Sequence, residues 1–183
     1  MIAIELPVSF AGITAFMLTF GKRRVLAVSV YVPSNYPAGT TPIKGWGELC
    51  ARLRLINELI ERTKNKWPDM EVVVAGDFNR HDILWGGPSI RETYRQGEAE
   101  PFISFIDQFD LQSWLMPDEI TWESSRHKSI VDLSLASEGL SNNLIRCTLW
   151  DNEYGSDYRA IVTEFDITEE RGQPEPRLMV RHA

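Results

Sequence analysis

The sequence predicts an α/β (α+β) fold in which sheets pack under helices. Three observations carry this. β-branched apolar runs bounded by turn residues recur along the chain, as at residues 25–32 and 72–75. Between those two runs, Trp46, Leu49, Cys50, Leu53, Ile56 and Ile60 recur at three- and four-residue spacing, the signature of one helix face. Strand and helix patterns then mix along the chain, with no internal repeat.

Residues 13–19 and 25–32 read as two strands joined by a hairpin turn at Gly21-Lys22-Arg23-Arg24. In the second strand Leu26, Val28, Val30 and Val32 share one face; Ala27, Ser29 and Tyr31 share the other, which is smaller and more polar. Pro33-Ser34-Asn35 stops that strand, and a loop runs to Pro42. Thr41 and Pro42 supply a cap and a first-turn proline for the first helix, and Pro68 closes its segment. Residues 72–75 form the next strand, followed by a polar, Gly-containing loop from Arg80 to about Gly97. A second helix is expected near residues 101–109, with Phe102, Ile103, Phe105, Ile106 and Phe109 on one side. Residues 130–136, 144–150 and 160–165 read as three further strands. From Glu169 onward the chain is polar and carries Pro174 and Pro176. The organisation read from this is one domain over 1–167 and a tail or linker over 168–183.

The chain has 183 residues, enough for one domain with a real core; 43% are hydrophobic and 25% charged, as in an ordinary globular protein. The formal net charge of −7 argues against a broad basic surface for nucleic acid. Any such contact falls to local patches, Lys22-Arg23-Arg24 or Arg126-His127-Lys128, each of which also reads as a solvated loop. Cys50 and Cys147 lie far apart and form neither a disulfide pattern nor a zinc spacing. That fits a reducing, intracellular compartment, with both thiols as small buried hydrophobes. The uncharged stretch 6–20 lacks a basic flank, contains Pro7 and Gly12 and follows Glu5, so no signal peptide is expected. It is also too short to span a bilayer.

The chemistry centres on Val72-Val73-Val74-Ala75-Gly76-Asp77-Phe78-Asn79, where a buried strand meets two polar side chains at i and i+2. In extended backbone such side chains point to one side, so Asp77 and Asn79 are expected to share a pocket at the strand end. A carboxylate there can hold a metal or take a proton, and an amide can hydrogen-bond a phosphoryl oxygen. The same Asp-Phe-Asn also reads simply as a turn. Asp132 interrupts the apolar strand Ser129-Ile130-Val131-Asp132-Leu133-Ser134-Leu135. A buried carboxylate needs a partner, and the alternative is an edge strand with Asp132 in solvent. Asp157 precedes another strand and alone reads as a turn residue; Tyr31 ends its own strand. Oxygen-bearing groups at several strand ends suit divalent-metal phosphoester chemistry, because a hard cation takes oxygen ligands and neutralises phosphate charge.

Tyr31-Val32-Pro33, Gly76-Asp77-Phe78-Asn79, Ile130-Val131-Asp132 and Ser156-Asp157-Tyr158, in this order, resemble the successive motifs of the endonuclease/exonuclease/phosphatase superfamily. At finer grain, Asn79-Arg80-His81 with Leu84-Trp85-Gly86, and Thr121 followed by Ser129-Ile130-Val131-Asp132-Leu133, resemble the endonuclease domain of non-long-terminal-repeat retrotransposons. The resemblance covers about residues 10–167. It implies two stacked, mostly antiparallel β-sheets flanked by helices. It implies a DNA endonuclease dependent on Mg2+ (or Mn2+) that leaves a 3′ hydroxyl to prime reverse transcription, and so a nuclear site of action. By motif, Asp77 orients or activates the attacking water, and Asn79 and Tyr31 hold the phosphate region. Asp157 assists the metal, with Asp77 as the other candidate ligand, and Asp132 orients the residue after the Ser-Asp pair. The segment Arg177-Leu178-Met179-Val180-Arg181 resembles the linker toward a reverse transcriptase in a parent element.

The chain departs from that pattern twice. Family members usually read Ser-Asp-His where this chain reads Ser156-Asp157-Tyr158. Tyrosine can donate a hydrogen bond, to Asp132 for example, but rarely supplies positive charge or ready proton exchange. The family also places an asparagine and a metal-binding glutamate upstream of the Tyr31 motif. Glu5 is the sole acidic residue before Tyr31, and Ile4-Glu5-Leu6-Pro7 does not match that motif. The domain therefore reads as incomplete at the N-terminus, with an apolar sheet edge left exposed. Impaired catalysis is the corresponding expectation. The alternatives are a non-catalytic remnant or nucleic-acid-binding domain, and a small-molecule or lipid phosphoesterase of the same superfamily. His81, a loop histidine, and His127 and His182 do not replace the family histidine.

Overall fold

The computed structural model describes residues 1–33, 43–87, 99–125, 128–151 and 155–167, with 43–46 by their backbone alone. The expected tail, the Thr41-Pro42 cap and most of the loop after Trp85 lie outside the described residues, as do Arg126, His127 and His182.

Alternating apolar residues build the main sheet. Strands β1 (Ile2–Leu6), β2 (Ile13–Phe20) and β3 (Arg23–Tyr31) run antiparallel in sequence. Helix α1 (Ile43–Lys66) then carries the chain to β4 (Glu71–Asp77), which pairs parallel with β3. Next come the short helix α2 (Ile83–Gly86), α3 (Glu100–Gln108) and β5 (Leu111–Ser113). A two-stranded sheet of β6 (Trp122–Glu123) and β7 (Lys128–Ser129) follows. Strand β8 (Asp132–Ser137) lies antiparallel between β4 and β5, so the six strands run β1-β2-β3-β4-β8-β5. Helix α4 (Glu138–Ser141) leads to β9 (Leu144–Leu149) and β10 (Ile161–Phe165), a second two-stranded sheet. The mixed α/β class expected from the sequence is what the chain adopts, and all but one of the pairings are antiparallel.

The sheet's two faces differ as the sequence pattern requires. One face buries Ala15 and Met17, Leu26 and Val28, Val72 and Val74, and Leu133 and Leu135 in a cluster with Leu49, Ile56 and Ile60 of α1 and Phe102 and Phe105 of α3. The other face carries Ser29, Ala75 and Ser134 in register across β3, β4 and β8, a floor of small side chains. Strand β10 contacts that face, where the Thr163 hydroxyl donates to Ser134 Oγ at 2.8 Å.

Some elements escape the sequence pattern for local reasons. The chain forms β1 before the first expected strand, but its Ile2 and Ile4 are 62% and 57% exposed at a sheet edge, so burial does not mark it. Helix α1 runs past Ile60 through a polar last turn, where Lys64 and Lys66 complement the helix C-terminus. The strand read over 130–136 begins only at Asp132, because the Val131 amide bonds to Thr121 Oγ1. Among the described residues, no helix is long and apolar enough to cross a membrane.

Candidate active site

The strand registers place Tyr31 opposite Asp77, and Asp77 opposite Asp132, in one row across β3, β4 and β8. The sequence separates these residues widely; sheet order brings them side by side. They line a cleft of about 720 Å³ together with Tyr158 and Arg159. Tyr31 and Tyr158 are about half exposed, whereas Asp77 is buried.

The glycine before Asp77 makes this close row possible. Gly76 sits at φ 143°, and a Cβ built on it would lie 1.9 Å from the Val30 carbonyl oxygen. Only glycine lets the backbone there approach its neighbour so closely. On either side of Asp77 the chain is clamped: Val32 N donates to Asp77 O at 2.8 Å, and Phe78 N to Val131 O at 2.9 Å. The Phe78 ring is fully buried and stacks on Phe102 at 4.0 Å, fixing the exit of the strand.

Asn79 meets Asp77 by a different route from strand alternation. The strand ends at Asp77, and Asn79 takes a left-handed conformation at φ 48°. Its backbone N donates to Asp77 Oδ1 at 2.8 Å and its Nδ2 to Asp77 Oδ2 at 2.9 Å. Nδ2 also donates to Val32 O at 2.7 Å. Asn79 does not line the cleft, so the turn and pocket readings combine: a turn holds the carboxylate that faces the cleft.

Two facing carboxylates on adjacent strands repel each other. Burial first, and then the charge of Asp132, push Asp77 up to about 6; the hydrogen bonds from Asn79 and the Tyr158 hydroxyl pull it back only in part. Burial also raises Asp132, against the Thr121 hydroxyl. Burial, then the charges of Asp77 and Asp132, raise Tyr158, so its phenol keeps its proton and donates. The sequence reading offered that hydroxyl to Asp132, but the structure gives it to Asp77. Asp132 Oδ2 is buried with no hydrogen-bond partner among the described residues.

Thr121 holds the site from behind, a role its spacing alone did not reveal. It is fully buried, and its Oγ1 accepts from Val131 N at 3.1 Å and Asp132 N at 3.2 Å. Its carbonyl accepts from Arg159 N at 2.8 Å. One buried residue thus ties the strand bearing Asp132 to the segment bearing Tyr158 and Arg159.

The remaining candidates lie apart. Asp157 is exposed and does not line the cleft; its carbonyl accepts from Glu123 N at 2.9 Å. His81 Nδ1 lies 3.1 Å from Ser129 Oγ, also outside the cleft lining. The basic run at the first hairpin is engaged in structure, with Arg23 paired to Glu71 at 2.9 Å and Arg24 stacked over Trp67.

Residues 25–162 match the Endonuclease-reverse transcriptase family. The chain belongs to this family, within the endonuclease/exonuclease/phosphatase superfamily. Solved structures agree on the fold. The endonuclease domain of TRAS1, a telomere-specific non-LTR retrotransposon, superposes at TM-score 0.70 with 16% identity, over 91% of this chain and 69% of that one. A 3′ phosphatase, NExo from Neisseria, bound to product DNA hairpin, superposes at 0.60 with 19% identity, over 83% and 64%. The AP endonuclease LMAP from Leishmania major superposes at 0.65 with 14% identity, over 83% and 54%. The chain thus spans between about half and two thirds of the length of these structures. No curated protein sequence matches it.

Members of this superfamily are generally dependent on a divalent metal. Two side chains of the row could donate to a cation. Asp77 and Asp132 present hard oxygen donors from adjacent strands, and Asp132 Oδ2 has no other partner among the described residues. Among the described residues no group of three or more His, Cys, Asp or Glu side chains gathers for a metal. Two carboxylates suit a hard cation that keeps several of its waters.

Proposed function

We propose that the chain is a divalent-metal-dependent DNA phosphodiester hydrolase of the retrotransposon-endonuclease type, with turnover reduced by Tyr158. The observation that carries this reading is the row Tyr31–Asp77–Asp132, closed by Tyr158, in a member of the family. Asp77 and Asp132 would hold a Mg2+ or Mn2+ ion, and Asp157, exposed and outside the cleft lining, would assist only from a distance. When bound, the ion neutralises phosphate charge and stabilises the leaving oxygen.

The chain's own residues do the rest. Asp77 would orient the attacking water from the position that its hydrogen bonds fix. Asn79 locks that carboxylate in place. Tyr31 would donate to a phosphoryl oxygen, while Tyr158 donates to Asp77. Within a parent element the nick exposes a 3′ hydroxyl for a fused reverse transcriptase, in the nucleus, where chromosomal DNA lies. A DNA-binding domain without turnover is the second reading, favoured by Tyr158 and by the two-carboxylate donor set.

Nicking of supercoiled plasmid tests the proposal. The expected result is slow nicking in Mg2+ or Mn2+, absent in chelator and absent in Asp77→Ala. Nicking no faster than that of Asp77→Ala would leave only the second reading. Restoring the family residue with Tyr158→His is expected to speed nicking at least about tenfold, since one lost transition-state donor costs ~2.7–4 kcal/mol. An unchanged rate would remove position 158 from the mechanism.

A further inference from the structure

We propose that Arg159 is the cation that grips the phosphodiester in the cleft, supplying one residue along the chain the positive charge that Tyr158 cannot. This inference rests on the DNA-hydrolase reading and names the residue through which that site meets its substrate.

The cleft has an electrostatic problem. Its row holds two facing carboxylates, and a phosphodiester entering it adds a further negative charge. Beside the proposed metal ion, a cation of the protein would help to offset that charge. Arg159 is the one basic residue among the described residues that line the cleft. Several other arginines and lysines are engaged elsewhere. Arg23 pairs with Glu71, Lys128 with Glu123 and Arg146 with Glu164. Arg52 is buried, donating to the Tyr31 carbonyl at 2.7 Å and pairing with Glu48. Arg159, in contrast, is exposed, and its guanidinium makes no hydrogen bond or ion pair with the described residues.

Its root is nonetheless fixed. The Arg159 backbone N donates to Thr121 O at 2.8 Å, and Thr121 Oγ1 accepts from Asp132 N at 3.2 Å. The guanidinium therefore swings from an anchor that keeps one position relative to the Asp77–Asp132 pair. A planar fork of donors on such an anchor fits two phosphate oxygens at once. The overall charge of −7 makes this local contact more consequential, because no general attraction to DNA replaces it.

The test is binding of a fluorescent DNA oligonucleotide by anisotropy, over a salt series and in chelator so that no cleavage occurs. The expected result for Arg159→Gln is at least threefold weaker binding, with a salt slope shallower by about one. Arg159→Lys, which keeps the charge, is expected to retain the slope. Arg54→Gln removes the same charge from an exposed site on α1, where Arg54 is 74% exposed, and is expected to change binding less. Thermal melting checks that each variant is folded. If the parent binds DNA and Arg159→Gln binds it with the same affinity and slope, this inference fails while the hydrolase reading stands. The inference fails equally if Arg54→Gln has as large an effect. A parent that neither binds nor nicks DNA overturns both.

Discussion

Replacing Gly76 by alanine is expected to be the most destabilising single change in the main sheet. The new Cβ meets the Val30 carbonyl oxygen at 1.9 Å and the Val30 carbonyl carbon at 2.9 Å, both backbone atoms of a central strand. Neither can give way cheaply. Strand β3 is held by β2 on one side and β4 on the other, and Val30 itself is buried. The φ of 143° adds strain that an L side chain cannot relieve. The expected cost is about 4 kcal/mol or more, a large fraction of the ~5–15 kcal/mol that stabilises a domain. Urea unfolding followed by circular dichroism measures it. Gly47→Ala in α1 is the contrasting control, because nothing lies within 4 Å of its added Cβ. That variant is expected to gain about 0.5–1 kcal/mol from better helix propensity. A Gly76→Ala protein as stable as the parent would show that β4 does not approach β3 as closely as described.

Asp77→Asn is expected to separate function from stability. Loss of the carboxylate that orients the water is expected to lower cleavage by about 10²–10⁴-fold. Stability moves the other way with pH. Asp77 titrates at about 6 in the folded chain against a reference of 3.8, so the folded state holds the proton more tightly. The stability linked to that proton is fully present below about pH 3.8 and is lost as pH rises through about 6. The gap corresponds to about 3 kcal/mol, opposed in the variant by the loss of charge-assisted hydrogen bonds from Asn79. The expected net effect at pH 7 without metal is a gain of about 1 kcal/mol. Urea unfolding of both proteins from pH 4 to pH 7 checks this, and the difference between them isolates Asp77. A parent that gains stability over this window relative to the variant would contradict the burial of the Asp77 carboxylate beside Asp132.

The sequence exposed the pieces of the site more readily than their joints. The β-branched run into Gly76-Asp77-Phe78-Asn79 marked a buried strand ending in polar groups, and the strand does end there. What pattern reading could not supply was the left-handed turn at Asn79, because strand alternation gave the same neighbour by a different geometry. Asp132 was legible as a buried carboxylate needing a partner. That it lies directly opposite Asp77 depends on β8 pairing with β4, a contact set by sheet order rather than by nearby residues. Thr121 entered only as part of the family resemblance, without a role, and Arg159 carried no signal in the chain. Their importance comes from one backbone hydrogen bond between segments distant in sequence. Short elements such as β5, β6 and β7 escaped because two or three residues show no period.

The account stands on Asp77 and Asp132 acting as a unit. Single-turnover cleavage of a labelled duplex in Mn2+ measures this directly, using the parent, Asp77→Asn, Asp132→Asn and the double variant. Groups that work together are non-additive, so the double variant is expected to be no slower than the slower single variant. Rates that are equal in all four proteins and in chelator, or losses that simply multiply in the double variant, would contradict it.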